Sequence, residues 1–353
     1  MKYYILLFLS FQVFSTDGQT TKDLSNAATA FLETLEEAQM TAMHYAFEDT
    51  ARTNWTNLPI GLASRPGLRY GDLSEKSKIQ FHQLLITLLS SQGYLKATSI
   101  MQLDDVLNKV YQTAFERELI PENTLKEIQD LQWDYGNYYV SMWNYPHPSE
   151  PWGLKFEGHH ISINLTVTGQ EYAVTPLFFG TDPAEVPITK YAGLRVLSKE
   201  EDYGIRLINA LSDKQREVAT ISNNVPGDII TNPASPQYLT EYAGIRGGQL
   251  SDVQKEMLRL LIYEYMQNFE QEKAHAAMHF IEGAAIDQVY FGWIGSYARK
   301  KPHYYVIQGP DFMIEYDNVG FQNDGNHIHT IYREKGRNFG ENLLKAHYLE
   351  HKH

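Results

Sequence analysis

Strand-forming residues in this 353-residue chain come in two blocks, and that spacing limits the fold more than any other feature. Residues 152–179 and 286–332 are rich in β-branched and aromatic side chains broken by short turn signals. Helical periodicity fills the stretches between and around them. Residues 19–50 repeat Leu24, Ala27, Ala28, Phe31, Leu35 and Ala38 at helical spacing. Further helical patterns cover Ile79–Leu89, the stretch to Phe115, and Asn123–Leu131. Ser198-x-x-Glu201 and Ser251-x-x-Gln254 read as capping boxes, the second opening a helix from Asp252 to about Glu282. Residues 222–248, rich in Asn, Pro and Gly, read as an ordered loop.

Strands in runs, rather than alternating with single helices, indicate an α+β fold: a largely antiparallel mixed sheet flanked by helices, in a single large domain. The expected parts are a helical segment 19–132, a first strand run 133–180, a helical insert 198–284, a second strand run 286–334 and a C-terminal helix 339–350. The two strand blocks are expected to share one sheet. Ahead of them, Lys2, the apolar run Tyr3–Phe14 and the small residues Ser15-Thr16-Asp17-Gly18 read as a secretory signal over residues 1–18, the alternative being an uncleaved anchor. Residues 19–353 then form an exported protein, periplasmic or extracellular. No later stretch is long and apolar enough to span a membrane.

The chain has no cysteine, so export brings no disulfides and any metal must be held by imidazole, carboxylate, amide oxygen or water. The formal net charge is −13 without a basic cluster, which argues against nucleic acid or an anionic membrane as partner. Phosphate-cradling glycine loops, a nucleophile elbow and a dinucleotide fingerprint are all absent from the sequence.

Two histidine stretches carry the chemistry. In Glu157-Gly158-His159-His160-Ile161-Ser162-Ile163-Asn164, strand alternation puts His160, Ser162 and Asn164 on one face and Glu157 with His159 on the other. In Asn326-His327-Ile328-His329, the two histidines share a face, a spacing that lets two imidazoles hold one ion from a rigid support. Glu315 and Asp317 share a face of the preceding strand, and Arg333 continues the alternation of His327 and His329. His275 and His279, four apart on a helix, lack the glutamate of the zinc-protease motif and read as structural. His347 on the last helix reads either way.

The series Pro151-Trp152-Gly153, Glu157-Gly158-His159-His160, Phe178-Phe179-Gly180-x-x-Pro183-Ala184, Phe291-Gly292-Trp293-x-Gly295, Ile314-Glu315-Tyr316-Asp317-Asn318, Asn326-His327-Ile328-His329 with Arg333, Phe339-Gly340 and His347-Tyr348 resembles the domain of unknown function 3500 family. The resemblance implies an exported, single-domain protein of about this length. It implies no activity, but it ties both histidine stretches to one pattern.

The residues lead to a mononuclear metal site with His160, His327 and His329 as ligands, and His159 or Glu315 as candidates for a fourth position. His160 and His329 are expected to bring nitrogens within about 3–4 Å of each other around one cation. Zinc, iron, manganese and copper all suit such ligands. With Glu157 or Glu315 as general base and Arg333 as anion clamp, the expected activity is metal-dependent hydrolysis of a small or polymeric anionic or amide substrate. The alternatives are an iron- or copper-dependent oxidoreductase on the same ligands, and a non-catalytic protein holding a glycan or peptide.

Overall fold

Eight strands of five or more residues carry the architecture: β1 (Tyr138–Trp143), β2 (Trp152–Gly158), β3 (Ile161–Thr168), β4 (Leu177–Thr181), β5 (Tyr290–Gly295), β6 (His303–Gln308), β7 (Phe312–Asp317) and β8 (Ile328–Glu334). In the computed structural model, which describes residues 17–233 and 239–350, they lie in the order β1-β2-β3-β4-β8-β7-β6-β5, each antiparallel to its neighbours. Five shorter strands complete a thirteen-stranded mixed sheet among the described residues. Each sequence block is therefore one four-stranded meander, and the two meanders join where β4 pairs with β8. The expected single sheet and α+β class hold. Most of the expected secretory signal, residues 1–16, lies outside the described residues.

Both faces of the sheet are covered, which is why β2, β3 and β4 are buried at every position rather than at alternate ones. Helices pack on one face: Phe156 of β2, Phe179 of β4 and Tyr332 of β8 join Phe81, Leu84, Leu261 and Met266 in the main core. Loops cover the other. There Phe178 and Ile331 pack on Trp55 and Ile229, and Tyr304, Val306 and Met313 on Val225 and Ile230. Strand alternation assigns His329, Ile331 and Arg333 to this loop-covered face.

Several boundaries differ from the sequence reading for identifiable reasons. The region 19–50 holds two helices, Asp17–Leu32 and Glu37–Met43. Ser198 lies inside its helix and Leu197 holds the cap position, because Glu201 accepts from Arg195 at 2.6 Å instead of closing a capping box. The Ser251 capping box does form. The helix it opens stops at Met266, and a second helix, Gln271–Met278, starts where the Glu270 carboxylate accepts from the Glu272 amide at 3.0 Å. No helix of the described residues is long and apolar enough to cross a membrane.

Candidate metal centre

The site sits at the seam between the two meanders. Gly158 of β2 pairs with Ile161 of β3, so His159 and His160 are the two central residues of a tight hairpin. Strand alternation therefore does not apply to them. His160 takes a left-handed backbone (φ 65°), and its ring stacks on that of His159 at 3.8 Å between centroids, so both imidazoles lie on the same side. A β-carbon at Gly180 of β4 would come within 2.8 Å of His160 Cδ2, so the missing side chain is the space this ring uses. Gly320, itself at φ 54°, makes the same room for His327: a β-carbon there would lie 2.4 Å from His327 Cβ. Ser162 and Asn164 do not reach the site, because Asn164 Nδ2 donates to Ser162 Oγ and to the Pro176 carbonyl.

Three ring nitrogens converge. His160 Nε2 lies 2.8 Å from His327 Nε2 and 3.3 Å from His329 Nε2, and the last two are 3.1 Å apart. The expected approach of His160 to His329 is thus present. The other nitrogens show how this arrangement could hold a cation. His329 Nδ1 is 2.7 Å from Asp228 Oδ1, and His327 Nδ1 faces Asp182 Oδ2 at 3.4 Å. A carboxylate on Nδ1 places the proton there and leaves a lone pair on Nε2. At least two lone pairs then point at a common centre, where a cation, or a proton on His160 Nε2, would be held between them. Three nitrogens ~2.1 Å from a tetrahedral ion would be about 3.4 Å apart, near the longest side of the triangle and a little wider than the other two. Burial, with the neighbouring His159, His327 and His329, holds His160 well below the usual imidazole range, so it stays neutral. Burial also lowers His329, against the pull of Asp228.

A second layer fixes these rings. Asp317 of β7 pairs directly with His329 of β8 and lies 3.6 Å from its Nδ1. Burial and the adjacent Asp228 push the Asp317 carboxyl far above its usual range. Asp228 belongs to the loop expected over 222–248, and Glu315 ties that loop down. Its carboxylate accepts from the Ile230 amide at 2.7 Å, from Tyr304 Oη at 2.9 Å and from the Thr231 hydroxyl. Arg333 donates to Thr231 Oγ1 at 3.2 Å and to its carbonyl at 2.9 Å.

These contacts change the expected roles. Glu315 and Arg333 hold the loop that carries Asp228, and neither contributes an atom to the imidazole triangle. Glu157 is buried beside the Thr56 amide (3.3 Å) and Lys155 Nζ (3.9 Å), away from the triangle, because its strand position precedes the turn. His159 turns its Nδ1 to Asp104 Oδ1 at 2.6 Å rather than to the other imidazoles. Tyr138 Oη donates to Asp104 Oδ2 and to the His159 carbonyl, both at 2.9 Å, and holds this pair in place. His159, Asp228, Phe321 and the three convergent histidines line one small pocket of about 140 Å³. On the Gln271–Met278 helix and its cap, His275 and His279 meet edge to face at 5.9 Å between centroids, and His279 faces Glu282 at 3.0 Å. His347 is buried against Tyr348 on the C-terminal helix.

Asp104, Asp182 and Asp228 escaped the sequence reading. Asp182 directly follows β4 and precedes Pro183. Asp104 on the Ser91–Glu116 helix and Asp228 in a loop carry no local signal of their partners.

Residues 17–341 match the model of a family described as Protein of unknown function (DUF3500). No curated protein and no solved structure matches the chain.

Proposed function

The chain belongs to the family described as Protein of unknown function (DUF3500), and we propose that it is a metal-dependent hydrolase built on His160, His327 and His329. The observation that carries the reading is the triangle of Nε2 atoms at 2.8, 3.1 and 3.3 Å, two of them backed by carboxylates on Nδ1. Three imidazoles with a fourth position open to a pocket suit zinc, and a bound cation there would lower the pKa of water to about 7 and stabilise a developing oxyanion.

The protein's own groups complete the chemistry. His159 shares the pocket, and the Asp104 bond to its Nδ1 leaves its Nε2 as a proton acceptor. Water bonds to the acyl carbon, its proton passes to His159 Nε2, and the same proton goes to the leaving nitrogen or oxygen as the C–N or C–O bond breaks. Asp228 and Asp182 keep the two ligand rings in the tautomer that binds a cation. The same three nitrogens would also hold copper or iron. The carboxylates sit on Nδ1 atoms rather than in the triangle, which favours the hydrolytic reading over an iron site of two histidines and one carboxylate. The leader-like residues 1–18 make the proposed location outside the cytoplasm, checked by sequencing the N-terminus of the secreted protein.

Elemental analysis of protein expressed from Gln19 tests the reading, with His327→Ala/His329→Ala protein in parallel. The expected result is near-stoichiometric metal in the wild type and none in the variant. Colourless zinc protein with esterase or amidase turnover supports hydrolysis, whereas coloured, paramagnetic protein supports oxidation. Protein that takes up no zinc, iron or copper on reconstitution overturns both and leaves a non-catalytic pocket.

A further inference from the structure

A second cleft opens beside the small pocket of the imidazole triangle and shares two of that pocket's lining residues. Its volume is about 590 Å³, inside the ~300–1,000 Å³ range of small-molecule sites. His327 and Phe321 line both this cleft and the small pocket, so the two spaces adjoin at the His327 ring. Its walls are apolar: Leu107 and Val110 of the Ser91–Glu116 helix, Ile128 of the Glu122–Gln129 helix, and Trp133. Phe321 stands at the junction with 78 % of its surface exposed, its ring edge-on to that of His327 at 6.1 Å. The cleft is lined by three carboxylates, Glu127, Asp182 and Asp324, and by no lysine or arginine among the described residues.

We propose that this cleft binds the body of the substrate, and that the substrate is a small amide or ester with an aryl or alkyl group and no negative charge. The inference rests on the metal-hydrolase reading and narrows it. The apolar wall selects the body and the carboxylates repel an anion. The shared His327 edge places the carbonyl at the triangle. An anionic substrate, expected from Arg333 as a clamp, loses that partner because Arg333 donates to Thr231.

Hydroxamic acids test this, since the head group binds a metal while the tail is varied. The full chain is loaded with cobalt(II), and binding is read from its visible spectrum and by calorimetry. Octanohydroxamate and phenylacetohydroxamate are expected to bind at least about tenfold more tightly than acetohydroxamate, the scale of discrimination an apolar pocket provides. A tail of equal length ending in carboxylate is expected to lose that gain. Ile128→Glu and Leu62→Glu, at cleft positions that are partly or largely exposed and outside the small pocket, are expected to reduce the octanohydroxamate gain at least about fivefold. Acetohydroxamate binding should be unchanged in both. Equal affinity for all tails, or a gain that survives both variants, overturns the cleft assignment and leaves the metal reading standing. A cobalt spectrum that no hydroxamate alters, or protein that takes up no cobalt, overturns the metal reading and this inference with it.

Discussion

His303 and His329 lie at the same end of the sheet, two strands apart and on opposite faces. His303 opens β6, next to Tyr304, which pairs with Asp317, which in turn pairs with His329. Both are buried and neutral, yet only one belongs to a site. His303 is stacked flat between Trp293 (4.8 Å) and Tyr316 (5.3 Å), and its Nδ1 bonds the Lys301 carbonyl at 2.9 Å. Its Nε2 is buried with no hydrogen-bond partner among the described residues. His329 uses a carboxylate for Nδ1 and turns Nε2 toward two more imidazoles. Burial makes a histidine neutral; only convergence of the remaining lone pairs makes it a ligand.

Replacing each residue breaks or sharpens this contrast. The largest expected effect is on metal content. His329→Leu should fall below about a tenth of the wild-type value by elemental analysis, while His303→Phe should retain full occupancy. Comparable loss in both would mean that the distinction between packing and coordinating histidines is wrong.

The next effect is on pH dependence and belongs to His303. Burial lowers its pKa to about 4, against a carbonyl bond that raises it. The folded state therefore binds this proton less readily than the unfolded chain, whose histidine titrates near ~6.5. His303 contributes stability above pH ~6.5, and that contribution declines as pH falls toward ~4, by about 3 kcal/mol in total. Urea unfolding of metal-free protein at several pH values should show this decline in the wild type and a smaller one in His303→Phe. Identical pH profiles would remove His303 as the source.

Asp228→Asn keeps the shape of the residue next to His329 Nδ1 but removes the charge. Metal affinity, measured by competition with a chromophoric chelator, should drop about 10- to 100-fold. Asp104→Asn, whose side-chain contacts are His159 and Tyr138 rather than the three convergent imidazoles, should leave affinity within about twofold while reducing turnover. The smallest effect is expected at the exposed helix. His275→Ala/His279→Ala should leave metal content unchanged and stability within about 0.5 kcal/mol.

How much of this was legible in the chain follows from how local each signal is. The pairing of His327 with His329, and the shared face of Glu315 and Asp317, come from strand periodicity over two residues, and both hold in the structure. The orientation of His159 failed because periodicity assumed a continuous strand. Gly158 pairs with Ile161 across a turn instead, and both rings lie on one side of it. Glu315 and Arg333 were on the right face, yet the loop from Ile229 to Thr231 folds over them and takes up their polar atoms. Nothing near Glu315 in sequence announces Thr231, 84 positions away.

The sequence by itself determined the alternation of side chains, the two strand blocks, the absence of thiolates and the histidine pair that starts β8. Those follow from dihedral geometry and residue chemistry acting over a few positions. The tertiary structure alone decided that β4 would pair with β8. That pairing brings a turn histidine to one histidine just before β8 and one within it, 167 and 169 residues distant, and lets Asp228, 101 residues from His329, set its tautomer. Such contacts depend on burying two sheet faces at once, a requirement of the whole chain that no local window contains.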